Sequence, residues 1–94
     1  MSRYTVRIEL HGDPDEEDYD LLHQAMAQNG FSRYITDPDG KKYHLPLAEY
    51  NCDLPCDKQE VLERAKSAAE RVGERYAVLV TKSAGRTWHG LESA

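Results

Sequence analysis

The sequence predicts an α+β fold in which one antiparallel sheet carries two helices on a single face. Three observations carry that prediction. Tyr4, Val6, Ile8 and Leu10 alternate with Arg3, Thr5, Arg7 and Glu9, the period of a half-buried strand. Two later segments place apolar residues at helical spacing, and each opens on acidic capping residues. The run Arg75 to Thr81, RYAVLVT, follows the second of them and is the strongest β signal in the chain.

Taken in order, the first strand meets Gly12 and then Asp13-Pro14-Asp15-Glu16, which opens a helix. Asp13 is the expected cap, Pro14 the first helical residue and Glu16 the other half of a capping box. The helix is expected from about Asp13 to Asn29, with Tyr19, Leu22 and Met26 on its inner stripe and Asn29-Gly30 as its stop. Phe31 to Thr36 is the second strand, and Asp37-Pro38-Asp39-Gly40 is a turn. Lys41 to Tyr50 returns with Tyr43, Leu45, Leu47 and Glu49 on one side, Tyr43 towards the core, and Pro46 marks a break in its ladder. Asp57 to Glu60 starts a second helix whose stripe is Val61, Leu62, Ala65, Ala68, Ala69 and Val72, ending at Gly73. The strand at Arg75 to Thr81 turns at Ser83 to Arg86 into a short extra C-terminal strand, Thr87 to Leu91. The order β-α-β-β-α-β, over a single domain spanning residues 1–94, is that of a ferredoxin-like sandwich. Its second sheet face is left open, and function or dimerisation belongs there.

Composition narrows the function classes. No apolar run reaches the ~20 residues that cross a membrane, and the charged N-terminus is unlike a signal peptide, so a cytoplasmic location is expected. A net charge of −5 argues against a broad nucleic-acid surface. The acids crowd between Asp13 and Asp20, however, and a basic face elsewhere remains open to the chain. Cys52 and Cys56 form a C-x3-C pair without the second pair of a zinc knuckle, and two reduced thiols flanking a turn are expected. No cofactor is called for, and there is no glycine-rich phosphate loop or nucleophile motif.

RYTVRIELHG, a helix ending in NGFSR-I, a D-x-DG turn, YHLP-AEY and a final VLVT…GRTW-GLE together resemble small bacterial and phage proteins grouped with the GhoS antitoxin. The resemblance covers nearly the whole chain. It implies a ferredoxin-like fold akin to the small CRISPR-adaptation nuclease subunits, and sequence-selective endoribonuclease action on a toxin's messenger RNA. It carries over no set of catalytic positions.

Candidate residues come instead from chemistry. Metal-free RNA cleavage needs a base for the 2′-hydroxyl, an acid for the leaving oxygen and a cation for phosphate charge. His11 and Arg7 supply those groups, while Glu9 and Asp13 are the carboxylates that Mg²⁺ would use. Against this, Arg7 and Glu9 can be plain solvent-facing strand residues and Asp13 a plain cap. Arg33, Tyr34, Lys41, Lys42 and His44, with Tyr43 and Tyr50, put aromatic and basic groups on the central hairpin, as base stacking and phosphate contact require. Tyrosine also favours strands simply because it packs well there. Arg86, Thr87, Trp88 and His89 suit a partner interface, including one across a homodimer, or an edge plug within the chain. Two function classes follow. One is a GhoS-like antitoxin acting on single-stranded RNA. The other is a small acidic module without catalysis, in which Asp15, Glu16, Asp18 and Asp20 mimic nucleic acid in a protein partner's basic groove. A plain dimeric accessory module is a third.

Overall fold

The computed structural model describes residues 3–53, 55–73 and 75–94. It is an α+β arrangement of two helices with antiparallel sheets. Strand β1, Tyr4–Leu10, lies at the centre of a three-stranded sheet. On one side it pairs antiparallel with β4, Glu49–Cys52, so that Val6 faces Tyr50 and Arg7 faces Glu49. On the other it pairs antiparallel with β5, Tyr76–Lys82, so that Arg7 faces Leu79. A second, two-stranded sheet joins β2, Tyr34–Thr36, to β3, Lys42–His44.

Alternation in β1 decides which face is covered. Tyr4, Val6, Ile8 and Leu10 are buried, whereas Arg7 and Glu9 are exposed. Helices α1, Glu16–Gln28, and α2, Lys58–Glu70, bring Leu22, Ala25, Met26, Val61, Ala65, Ala68 and Ala69 into the same core as that face. Alanine at three of these positions lets α2 lie close to β1 and β5, since ridge height sets how near a helix approaches.

Several element boundaries differ from those expected. Asp15, not Asp13, caps α1: its side chain accepts from the Asp18 N–H while the Asp18 carboxylate accepts from the Asp15 N–H, a reciprocal box. Asp13 instead takes a left-handed φ of 55° in the turn before it. At the other end Gly30, with φ 91°, closes α1. The Gly30 and Phe31 N–H groups donate to the Ala27 and Met26 carbonyls, a Schellman closure. Phe31 is thus spent on the helix cap and the core, and β2 begins only at Tyr34. Ser32 still bridges to Asn51 on the outer side of β4. Helix α2 is capped by Asp57, as expected, and ends at Glu70, before Gly73.

The long returning strand is two strands. Pro46 cannot donate to a ladder, Ala48 turns at φ 68°, and the Glu49 N–H closes the turn on the Pro46 carbonyl. Leu47 is therefore at an exposed turn tip rather than on the inner side. No strand forms over Thr87 to Leu91. The Arg86 guanidinium donates to Asn51 Oδ1 at 2.9 Å, and Trp88 rests against Tyr43 with ring centroids 5.4 Å apart. These contacts draw the segment away from β5 to the β2–β3 hairpin. There Ser93 bridges Tyr43, and the His44 and Ala94 N–H groups donate to Glu92 and Lys42 carbonyls. No described helix is long and apolar enough to cross a membrane.

Candidate functional site

The β2–β3 hairpin is the element that gathers most of the expected RNA-contacting residues. Tyr34 pairs with His44 and Thr36 with Lys42, so directly opposed side chains share one face, and Tyr34, His44 and Lys42 lie together on it. The Tyr34 and His44 rings are 5.1 Å apart at a 47° tilt, and Tyr34 is 42% exposed. Ile35 and Tyr43 take the other face, where Ile35 is buried. Tyr43 does not enter the core. It is held between Trp88 on one contact and the Lys41 ammonium on another, 5.4 Å from its ring centre. Lys41 and Trp88 are thus both engaged within the chain.

Beside His44 opens a cleft of about 400 Å³, lined by Arg33, Leu45, Pro46 and the segment Gly90–Glu92. Arg33 forms its inner boundary. Its Nε is buried and takes no hydrogen-bond partner among the described residues. Behind Arg33 is a pair that sequence reading did not connect. Tyr50 is fully buried, and its hydroxyl lies 2.6 Å from His23 Nδ1 on α1. Burial pulls the His23 imidazole below its ordinary value, the Arg33 charge adds to the effect, and Asp20 opposes it. A neutral imidazole therefore accepts from Tyr50, whose own hydroxyl burial pushes up. The only sequence signal for His23 was its place beside Leu22 on α1. Helical phase alone did not show that β4 would deliver a tyrosine to it.

The catalytic candidates lie on the open face. Arg7 and Glu9 point there, and His11 Nε2 is 2.9 Å from Glu9 Oε1 just past the end of β1. Arg7, opposite Glu49 and Leu79, takes no side-chain hydrogen bond or ion pair among the described residues. His11 lies four positions after Arg7, roughly 13 Å along an extended backbone. The structure therefore couples Glu9 to His11 and leaves Arg7 on the same face with no hydrogen bond or ion pair to either. Asp13 joins no ligand set: among the described residues no three His, Cys, Asp or Glu side chains gather to hold a metal.

The acidic candidates separate into two kinds. Asp15 and Asp18 serve the α1 cap, whereas Glu16 and Asp20 do not; Asp15, Glu16 and Asp20 are exposed. Trp88 is half-buried on Tyr43 rather than presented outward. Arg86 braces the C-terminal segment on Asn51, and burial pushes its guanidinium down, with Arg3 adding and Asp53 opposing. Cys52 is buried, and no disulfide joins it to Cys56. Burial and the neighbouring Glu60 push the Cys56 thiol up, which disfavours the nucleophilic thiolate.

No protein-family model matches this chain, and no curated protein matches it.

Proposed function

We propose that this protein is a GhoS-like, RNA-acting antitoxin of ferredoxin-like fold, working in the cytoplasm of a bacterial or phage-infected cell. The observation that carries the reading is the hairpin face on which the exposed Tyr34 ring, its half-buried partner His44 and Lys42 adjoin the Arg33 cleft. Single-stranded RNA is recognised by stacking unpaired bases on aromatic rings while Arg and Lys hold phosphates, and the face offers both. The ferredoxin-like order is supported by the central β1 between antiparallel β4 and β5, and by the Ser32–Asn51 bridge outside β4.

In this reading RNA lies over the hairpin and reaches the open face of β1. If the strand is cut, the 2′-hydroxyl loses its proton to His11, which Glu9 orients, and its oxygen attacks the adjacent phosphorus. Arg7 faces the phosphate charge. The 5′-oxygen then leaves with the proton returned by the His11 imidazolium, giving a 2′,3′-cyclic phosphate, a free 5′-hydroxyl and neutral His11. The acidic-module alternative is less favoured, because Asp15 and Asp18 already have a sufficient role in the α1 cap.

Labelled single-stranded RNA, followed for binding and cleavage with and without EDTA, tests the proposal. Arg33→Ala and Tyr34→Ala are expected to weaken binding by roughly ten- to a hundredfold, about 1–3 kcal/mol. Arg7→Ala and His11→Ala are expected to abolish cleavage while leaving binding within a few-fold of the parent. Neither binding nor cleavage at low salt ends the RNA reading. Loss of cleavage in EDTA would move the chemistry from His11 to Glu9 and Asp13.

A further inference from the structure

Strand β5 is an edge. It pairs with β1 along its full length, and among the described residues no other segment pairs with its outer side. The direction of its free groups follows from the ladder. Ser83 N–H donates to the Arg3 carbonyl, and His11 N–H donates to the Arg75 carbonyl. Hydrogen-bonded pairs alternate in an antiparallel ladder, so Ala77, Leu79 and Thr81 direct their backbone groups at β1. Tyr76, Val78, Val80 and Lys82 direct theirs outward. Both surfaces of this edge are apolar. Leu79 is 63% exposed on the open face, and Val78 and Val80 are half-buried at the rim of the core on the helix side. Proline is absent, and the only charged residue is Lys82 at one end. Proteins ordinarily blunt such an edge, because it templates another strand.

Charge says which strand it fits. At one end the Tyr76 hydroxyl donates to Glu70 on α2 at 3.0 Å, and Glu63 is close enough to add to the rise in the Tyr76 value, after burial and Glu70. At the other end Lys82 has no ion pair or side-chain hydrogen bond among the described residues. On its helix side the edge is thus acidic at its start and basic at its end, while exposed Arg75 alternates to the open side. An antiparallel copy of the same strand brings unlike ends together, whereas a parallel copy stacks like on like.

We propose that β5 pairs with β5 of a second copy of this chain across a two-fold axis at Leu79, joining two sheets into one. Tyr76 then opposes Lys82 of the other copy and Val78 opposes Val80, so every outward N–H and C=O of the strand is used. The other copy's Lys82 ammonium comes to Glu70, and Val78 and Val80 are covered on both sides. Leu79 meets its own symmetry mate as a non-hydrogen-bonded pair, the closer of the two cross-strand spacings. The interface is isologous and closes at two subunits. It stands independently of RNA binding, because the β2–β3 hairpin takes no part in it.

Sedimentation equilibrium of the full chain over a range of concentrations tests the assembly. The parent is expected to dimerise. Leu79→Lys, which places two ammonium groups at the axis, is expected to weaken the dimer more than about tenfold while the circular dichroism spectrum stays that of the parent. Lys82→Glu and Glu70→Lys are each expected to weaken it, and the double variant to restore it. Oxidation should cross-link the thiols introduced by Leu79→Cys but not those from Ala77→Cys, whose symmetry mates lie four residues out of register, roughly 13 Å apart. A monomeric parent overturns the proposal, as does a dimer indifferent to Leu79→Lys or one in which the charge swap fails to restore association.

Discussion

His23 and Tyr50 are the residues whose environment departs furthest from what their types suggest. One sits on the helical stripe beside Leu22, the other on the strand that faces Val6, and each satisfies the polar atom that the other buries. The consequence is a pH dependence of known sign. Unfolded, His23 titrates near 6.5, and folded it titrates lower. Between those values the unfolded chain binds more protons, so stability rises with pH across the window and is full above 6.5. Thermal melts of parent and His23→Gln from acid to neutral pH should converge at low pH and separate above it in favour of the parent. Parallel profiles would show that His23 is not the group responsible. Arg33 contributes to that shift while bounding the cleft, so its removal should raise the His23 value in an NMR titration as it weakens RNA binding.

At the scale of elements, termini decide more than interiors. Helix α1 begins where Asp15 and Asp18 exchange hydrogen bonds, two residues later than the Asp13-Pro14 string suggests. Both aspartates precede a helical run, and the sequence offers two overlapping boxes. The left-handed turn at Gly12 and Asp13 selects the second. Asp15→Ala is expected to cost about 1 kcal/mol in chemical denaturation. Asp13→Gly, which eases a positive φ, should stay within about 0.5 kcal/mol of the parent. At the other terminus Gly30→Ala forces a Cβ into the left-handed region and should cost about 1–2 kcal/mol. An Asp13 variant as damaging as Asp15→Ala would return the cap to Asp13.

For the molecule as a whole, the governing asymmetry is one covered sheet face and one largely open. The covered face rests on the alanines of α2, Ala65, Ala68 and Ala69, which are fully buried and leave no room between helix and sheet. Ala68→Leu should therefore destabilise by about 1–3 kcal/mol through overpacking, despite adding apolar surface. An unchanged denaturation midpoint would mean that α2 has slack against β1 and β5. The open face carries Arg7, Glu9 and Leu79, is crossed near Asn51 by the segment bearing Arg86, and ends at the β5 edge. The proposed cleavage, RNA contact and self-association would draw on three parts of one surface system: the β1 face, the hairpin face and the β5 edge. Leu79→Lys should leave RNA binding unchanged, and Arg7→Ala should leave both RNA binding and self-association intact, whereas hairpin variants lower binding and cleavage together.

Local chemistry by itself determined the elements whose signals are short in range. Period-two alternation placed β1 and β5, the alanine-rich stripe placed α2, and Asp57 placed its cap, because those patterns depend only on residues within a few turns or pleats of one another. Tertiary structure decided what depends on partners distant in the chain. Tyr43 reads as a core residue by alternation, yet Lys41 and Trp88 hold it half-buried outside the main core. Thr87 to Leu91 reads as a strand, yet Asn51 and Tyr43 draw it away from β5. His23 acquires its partner only when β4 is laid beside β1. Propensity is a property of neighbours in sequence, whereas these positions are set by contacts closed across the fold, where a single ring contact or guanidinium bond outweighs a weak strand preference.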